Sequence, residues 1–321
     1  MSDIQNVTIV GAGYMGGGIA QVLAMAGFTV TVADVSVDNA DAALARLTKE
    51  AAEFEEQGLF APGSAALVEQ NISAGKTIEE AVANADFIEE AVFEVPAVKQ
   101  EVLARISAAA RPDAIIGTNT STIPVKVLEP AVSHPERFLT VHFSNPAPFI
   151  PGVELVAGEA TAPEVIARVK ALLERAGCQG AQVADTPGMV LNRLQYVLLK
   201  EATAIVEEGV ATPEDVDTIV RTTFGFRLGF FGPFAIADQA GLDVYLNCFS
   251  TFEDAFGERL ATPQMLKDAI AADRKGTKNG RGWTGDFDDE TRDALVTYRN
   301  TAYSRMAQLL AELGPAPSGK K

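Results

Sequence analysis

The chain holds only two histidines, and their settings differ. His134 lies in the polar loop Ser133-His134-Pro135-Glu136-Arg137 and is expected at the surface. His142 sits near the end of an apolar run, Phe138-Leu139-Thr140-Val141-His142-Phe143. A proline-rich reversal, Asn145-Pro146-Ala147-Pro148-Phe149-Ile150-Pro151-Gly152, leads into a second apolar run, Val153-Glu154-Leu155-Val156, with one acid inside it. A buried carboxylate needs a partner, and a reversal between two short strands can bring Glu154 beside His142. A carboxylate on one imidazole nitrogen fixes the tautomer and strengthens the other nitrogen as a base. Such a pair removes a hydroxyl proton while the carbon bearing it is oxidised, and returns the proton on reduction. The plainer alternative is a histidine satisfied within the core.

A second constellation stands at the N-terminus. Val7-Thr8-Ile9-Val10 runs into Gly11-Ala12-Gly13-Tyr14-Met15-Gly16, and a helical pattern follows. This is G-x-G-x-x-G in the setting it requires, a strand before and a helix after. The first glycine makes the tight turn, and the second lets a pyrophosphate approach the backbone. The third lets helix and strand pack, with the phosphates on the helix N-terminus. A second strand ends at Asp34, whose carboxylate can accept from the ribose hydroxyls and would repel a 2′-phosphate. No arginine follows within several positions, so the cofactor expected is NAD and not NADP. The alternative is a glycine turn that merely packs.

Positioning these groups takes alternating strands and helices, and the chain supplies them. Apolar, β-branched runs at 7–10, 29–33, 87–92, 114–117, 138–143 and 153–156 read as strands, with helical stretches such as 40–57 and 98–110 between them. That alternation predicts a parallel sheet with helices on both faces, an α/β doubly wound fold of Rossmann type. After residue 185 the pattern changes. Thr186-Pro187 and Thr212-Pro213-Glu214 each read as an N-cap followed by proline at the first helical position, and Gly209 would stop the first of those helices. Only helical patterns follow, so residues 1–185 form the expected nucleotide domain and 186–313 an all-α domain. The small, polar residues 314–321 are expected to be disordered.

Composition bounds the rest. At 321 residues, two domains fit, and 47% hydrophobic with 21% charged residues is ordinary for a globular protein. A net charge of −17 would repel a phosphate backbone, which argues against nucleic-acid binding. No apolar run approaches the ~20 residues that cross a bilayer, and the N-terminus leads into the glycine loop instead of a signal peptide. Cys178 and Cys248 have no metal-ligand spacing, no metal site is expected, and two buried thiols in a reducing cytoplasm account for them.

A series of motifs, in order and over nearly the whole length, resembles the 3-hydroxyacyl-CoA dehydrogenase superfamily. Phe93-Glu94-Val95-Pro96-Ala97-Val98-Lys99 falls where that family places residues near the nicotinamide end of the cofactor, here Glu94 and Lys99. Asn119-Thr120-Ser121-Thr122 resembles its N-T-S-S stretch, whose asparagine lies by the cofactor and whose serine contacts substrate. His142-Phe143-Ser144-Asn145-Pro146 is similar to H-F-F-N-P, implying His142 as catalytic base and Asn145 as a substrate polariser, with Glu154 as the dyad carboxylate. Pro187-Gly188-Met189-Val190-Leu191-Asn192-Arg193 resembles P-G-F-V-x-N-R and implies Asn192 at the substrate carbonyl. Gly232-Pro233-Phe234 and Asn279-Gly280-Arg281-Gly282-Trp283 fit its M-G-P-F and S-G-R-G-F signatures. The resemblance implies an NAD-dependent dehydrogenase with a C-terminal helical domain that forms a homodimer. Gly11, Gly13, Tyr14, Met15, Gly16 and Asp34 then hold the NAD.

Three departures bear on the substrate. Members using CoA thioesters carry lysines after the second strand, where this chain has Lys49-Glu50-Ala51-Ala52-Glu53-Phe54-Glu55-Glu56-Gln57-Gly58. Those acids would repel a CoA phosphate, unless they are only a solvated helix face. Ile150-Pro151 replaces a frequent Met-Lys. Gly225-Phe226-Arg227-Leu228-Gly229-Phe230-Phe231-Gly232-Pro233 resembles relatives acting on free carboxylates, the gulonate dehydrogenase/lambda-crystallin and carnitine dehydrogenase branches. Other passages resemble a dehydrogenase of pyridoxine breakdown. Arg227 is the expected carboxylate anchor, the alternative being an internal ion pair, with Asp238 as a candidate partner. The reading is a dehydrogenase oxidising the secondary alcohol of a small hydroxy acid with NAD. Its rivals are a short-chain 3-hydroxyacyl-CoA dehydrogenase and, more remotely, a non-catalytic NAD-binding structural protein.

Overall fold

A computed structural model describes residues 4–317 of the chain. Eight strands form one sheet: β1 (Asn6–Val10), β2 (Thr29–Ala33), β3 (Ile72–Ala74), β4 (Phe87–Glu90), β5 (Ile115–Thr118), β6 (Phe138–Phe143), β7 (Gly152–Ala157) and β8 (Gln179–Val183), in the order β3-β2-β1-β4-β5-β6-β7-β8. Helix α1 (Tyr14–Met25) follows β1, and α2 (Val37–Glu56) follows β2. Successive side chains of β1 enter opposite cores. Ile9 packs in a cluster with Leu23, Leu47 and Leu139, and Val10 in another with Ile88, Leu103 and Phe138. Burial on both faces is why these strands read as continuous apolar runs.

The sheet is not wholly parallel, as the alternation had predicted. β1 to β6 run parallel, but β7 is antiparallel to β6, and β8 is parallel to β7. The connection between β6 and β7 is too short for a parallel crossover, which takes about a dozen residues or more. Strands β3 and β8 were not legible, since β3 is three residues long and β8 reads Gln-Gly-Ala-Gln-Val. Both lie at sheet edges. The parallel strands end together, so Gly11, Asp34, Ala91 and Asn119 follow β1, β2, β4 and β5 at one rim of the sheet.

The chain forms two compact units that meet between Leu198 and Leu199, inside helix Leu191–Glu207. The helix expected from Pro187 starts instead at Leu191, after a turn in which Gly188 and Met189 have φ of 75° and 48°. That turn and the first residues of the helix bond back to the sheet, as described below. Gly209 (φ 72°) follows the helix end as expected. Thr212 caps the next helix, Pro213–Thr222, accepting from the Asp215 amide at 3.2 Å.

The second unit continues through helices Phe224–Leu228, Pro233–Ala240, Leu242–Phe256, Gln264–Ala271 and Asp289–Leu313. Its buried cluster is small: Ala237, Leu242, Leu266 and Ala269. Cys178 is buried, but Cys248 is exposed on Leu242–Phe256, which corrects the expectation of two buried thiols. Residues 314–317 have no helix or strand, and 318–321 lie outside the described residues. No described helix is long and apolar enough to cross a membrane.

Candidate active site

His142 and Glu154 face each other across the antiparallel β6–β7 pair, in the same register row. The His142 Nδ1 and Glu154 Oε2 are 2.9 Å apart. A carboxylate oxygen accepts, so this contact suits the tautomer in which Nδ1 carries the proton and Nε2 the lone pair. The second oxygen of Glu154 accepts the Val190 amide at 2.9 Å and the Leu191 amide at 3.0 Å. The carboxylate therefore sits at the start of helix Leu191–Glu207, where free amides favour negative charge. Both side chains are largely enclosed, 9% and 12% accessible. His134, by contrast, is exposed and pairs with Glu136, as its loop suggested.

The same helix start delivers Asn192, whose Nδ2 donates to the Ser121 carbonyl at 3.2 Å. Asn119 is turned toward β6, its Oδ1 accepting the Phe143 amide at 2.9 Å. Asn145 opens the reversal after β6, and its side chain makes no hydrogen bond among the described residues. The structure thus brings Asn119, Ser121, His142, Glu154 and Asn192 into one bonded neighbourhood at the sheet rim.

Beneath Ser121 lies a charged platform. Glu94 Oε1 accepts from the Thr120 hydroxyl at 2.7 Å, the Ser121 amide at 2.9 Å and the Thr122 amide and hydroxyl at 3.1 Å. Burial pushes the Glu94 carboxyl up, but the Thr120 hydroxyl, the Lys99 charge and the two amides outweigh it and hold its pKa below the usual range. Lys99 is fully buried and donates to Glu90 at 2.9 Å and 3.2 Å, with Glu94 Oε2 at 3.5 Å. Glu90 is also fully buried and takes the Thr118 hydroxyl at 2.6 Å and the Val92 amide at 2.7 Å. Lys99 therefore sits under the site and not on its surface, and Glu94 organises the loop that carries Ser121.

The glycine loop has the geometry a pyrophosphate needs. Gly11 has φ 98°, and a Cβ there would lie 2.7 Å from the Ala91 carbonyl. A Cβ on Gly16 would lie 1.9 Å from the Gly11 oxygen, so the helix reaches the strand only without one. Helix α1 begins at Tyr14 after Gly13, which offers no side-chain cap, leaving the first-turn amides open to an anion. Asp34 Oδ2 accepts the Ala12 amide at 2.8 Å and Oδ1 the Val35 amide at 2.8 Å. Tyr14, Val35 and Phe93 stand exposed along this rim, an apolar border around the loop. These features fit NAD.

Sequence reasoning missed Arg46. From α2 its guanidinium donates to the Ala12 oxygen at 2.9 Å and the Gly13 oxygen at 3.3 Å, and Glu50 holds it at 3.1 Å. Only its position, two to three helical turns into α2, signals that it can reach back to the loop, and a lone arginine on a charged helix does not stand out.

Arg227 lies in the second unit, on Phe224–Leu228. The ion pair considered with Asp238 is not formed. The buried Asp238 carboxylate instead accepts from the Trp283 and Thr284 amides, each at 2.8 Å, and from the Thr284 hydroxyl at 2.7 Å.

Two family models match: 3-hydroxyacyl-CoA dehydrogenase, NAD binding domain, over residues 6–186, and the corresponding C-terminal domain over 188–285. A probable 3-hydroxybutyryl-CoA dehydrogenase of Bacillus subtilis is 35% identical over 290 residues, covering 90% of this chain and 99% of that protein. The 5-formyl-3-hydroxy-2-methylpyridine 4-carboxylate 5-dehydrogenase of Mesorhizobium japonicum is 35% identical over 280 residues, 87% of this chain and 90% of its own. Among solved structures, a 3-hydroxyacyl-CoA dehydrogenase of Archaeoglobus fulgidus superposes with a TM-score of 0.79 at 29% identity, covering 97% of this chain and 99% of that one.

Proposed function

The chain belongs to the 3-hydroxyacyl-CoA dehydrogenase family and is an NAD-dependent oxidoreductase acting on hydroxyl groups, and we propose that its substrate is a small hydroxy acid with a free carboxylate. Gly11, Gly13, Tyr14, Met15, Gly16 and Asp34 would hold NAD, which when bound would supply the hydride acceptor. His142 Nε2 takes the hydroxyl proton, because Glu154 keeps the other nitrogen protonated. Ser121, Asn145 and Asn192 hold the reacting oxygen, and Asn119, Glu94 and Lys99 keep the loop under it in shape. The observation that carries the acid–base assignment is the 2.9 Å His142–Glu154 contact backed by two helix-start amides.

Two features support a free acid. The cations near the end of α2 are already matched, Arg46 by Glu50 and Lys49 by Glu53, while Glu55 fixes the Gly63 and Ala65 amides. No unmatched cation remains in that segment for a CoA phosphate. Beside it Phe54, Phe60 and Phe149 pack with ring centroids 5.1–5.8 Å apart. Arg227, which no acid among the described residues neutralises, is assigned to the substrate carboxylate. The pyridine-carboxylate relative bears a free carboxylate in its substrate's name; the Bacillus relative's name favours the rival, a 3-hydroxyacyl-CoA substrate.

The test is NAD reduction screened in parallel against free hydroxy acids, sugar acids, carnitine and 3-hydroxybutyryl-CoA. The free-acid reading expects turnover of a free acid and at most slow turnover of the thioester. Rapid reduction of acetoacetyl-CoA with NADH, at low-micromolar KM, would reverse the assignment. A homodimer through the helical unit is part of the proposal. Leu199, Val210, Ile219, Phe252, Phe256 and Leu313 are all exposed there, apolar surface that a partner copy would cover.

A further inference from the structure

The helical unit contains a cavity of about 210 Å³ lined by Arg227, Ile236, Gln239, Ala240, Arg299 and Tyr303. Two arginines line one small space, and no acid does. Within the same unit Arg259 takes Glu201 and Glu208, Lys278 takes Asp243, and Arg274 takes Asp286. Arg227 has no side-chain partner among the described residues, and Arg299 donates only to the amide oxygen of its neighbour Asn300, at 3.1 and 3.2 Å. Asp238, adjacent in sequence to Gln239, is held by Trp283 and Thr284.

Two like charges lining one partly enclosed space repel each other and lose water, and an anion between them relieves both effects. The walls are firm. Tyr303 is braced by ring contacts with Phe226 at 5.6 Å and with Phe230 and Phe231 at 6.2 Å. Gln239 donates to the Ala235 carbonyl at 3.3 Å and keeps a second amide proton. At roughly 30 Å³ per water, the space holds about seven waters. That suits a carboxylate on a short carbon chain.

We propose that this cavity is a carboxylate-binding site in which Arg227 and Arg299 act together, with Gln239 as an additional donor. The carboxylate comes either from the substrate, which deepens and rests on the free-acid reading above, or from a separate small organic acid. Planar guanidinium forks match carboxylate geometry, so a lysine replacement is a poor substitute at either position.

Malonate, titrated calorimetrically into the full-length protein, is the probe, with neutral malonamide as its control. Wild type is expected to bind malonate saturably, more weakly as salt rises, and to ignore malonamide. Arg299→Met and Arg227→Met should each weaken malonate at least tenfold, with Arg299→Lys between. Thermal melts confirm that the variants fold. Equal malonate binding by wild type and both methionine variants, or equal binding of malonamide, overturns the proposal. In the turnover assay, competitive inhibition by malonate assigns the site to the substrate's carboxylate, and noncompetitive inhibition assigns it to a second acid. A screen that found only CoA thioesters turned over would end the free-acid reading, and the malonate titration would still decide independently whether the cavity binds a carboxylate.

Discussion

Glu154 accepts the backbone amide of Leu191 at 3.0 Å across 37 residues of sequence, while its other oxygen holds His142. One carboxylate thus ties an imidazole on β6 to the start of the helix that carries Asn192. The proposed base and the proposed oxygen-holding amide are placed by the same group, so disturbing Glu154 disturbs both.

Glu154→Gln keeps the shape but removes the charge, and its amide can present the wrong partner to Nδ1. Turnover is expected to fall by about 10²–10⁴-fold, the range for losing a positioned base, as it should for His142→Ala. NAD affinity, set at the glycine loop, should hold in both variants. Steady-state kinetics with a parallel NAD titration checks this, and wild-type turnover from His142→Ala would remove the proton-transfer assignment. The rival structural protein predicts no turnover to lose.

Lys99→Met leaves the fully buried Glu90 without its ammonium partner. Removing one member of a buried pair typically costs about 3–5 kcal/mol, and the Glu94 loop loses its anchor as well. A lowered melting temperature is expected even without cofactor. An unchanged melt would show that the Lys99–Glu90 pair does not stabilise the fold.

Glu89 is fully buried in β4, neither carboxylate oxygen has a hydrogen-bond partner among the described residues, and burial followed by repulsion from Glu90 raises its pKa well above the usual value, with Lys99 opposing. In the unfolded chain a glutamate ionises near pH ~4.3. Between that value and the raised folded one, the native state binds the extra proton, so this group's contribution to stability declines as pH rises. Glu89→Gln does not titrate. Its stability relative to wild type should therefore improve steadily from pH 5 to pH 8 in urea denaturation. A difference independent of pH would show that Glu89 does not carry that proton.

Arg46→Met removes the guanidinium that grips the Ala12 and Gly13 carbonyls. The loop then presents its amides less rigidly, and NAD should bind about tenfold more weakly, a loss of about 1.4 kcal/mol. Direct titration of NAD into the apoprotein measures this without turnover. Unaltered affinity would reduce Arg46 to a helix-surface residue.

Much of this site is readable because its parts are local. The glycine loop, Asp34 at a strand end, and a histidine and an acid on strands joined by a short reversal are all set by nearby residues and by the two-residue period of a strand. Thr212-Pro213 and Gly209 marked helix ends through side-chain and φ preferences that act within one turn. The failures are equally physical. Thr186-Pro187 looked like a helix start, but Gly188 and Met189 adopt positive φ, and the helix waits until Leu191.

The chain's own order of residues determined the nucleotide loop, the strand–helix alternation and the pairing of His142 with Glu154, since each depends on neighbours a few positions away. Tertiary structure alone decided that Glu154 also binds a helix start, that Lys99 is wholly enclosed beneath the site, that Arg46 grips the glycine loop and that Arg227 shares a cavity with Arg299. Those outcomes depend on contacts between residues far apart in sequence, and burial and partner choice are properties of the packed chain that no local pattern encodes.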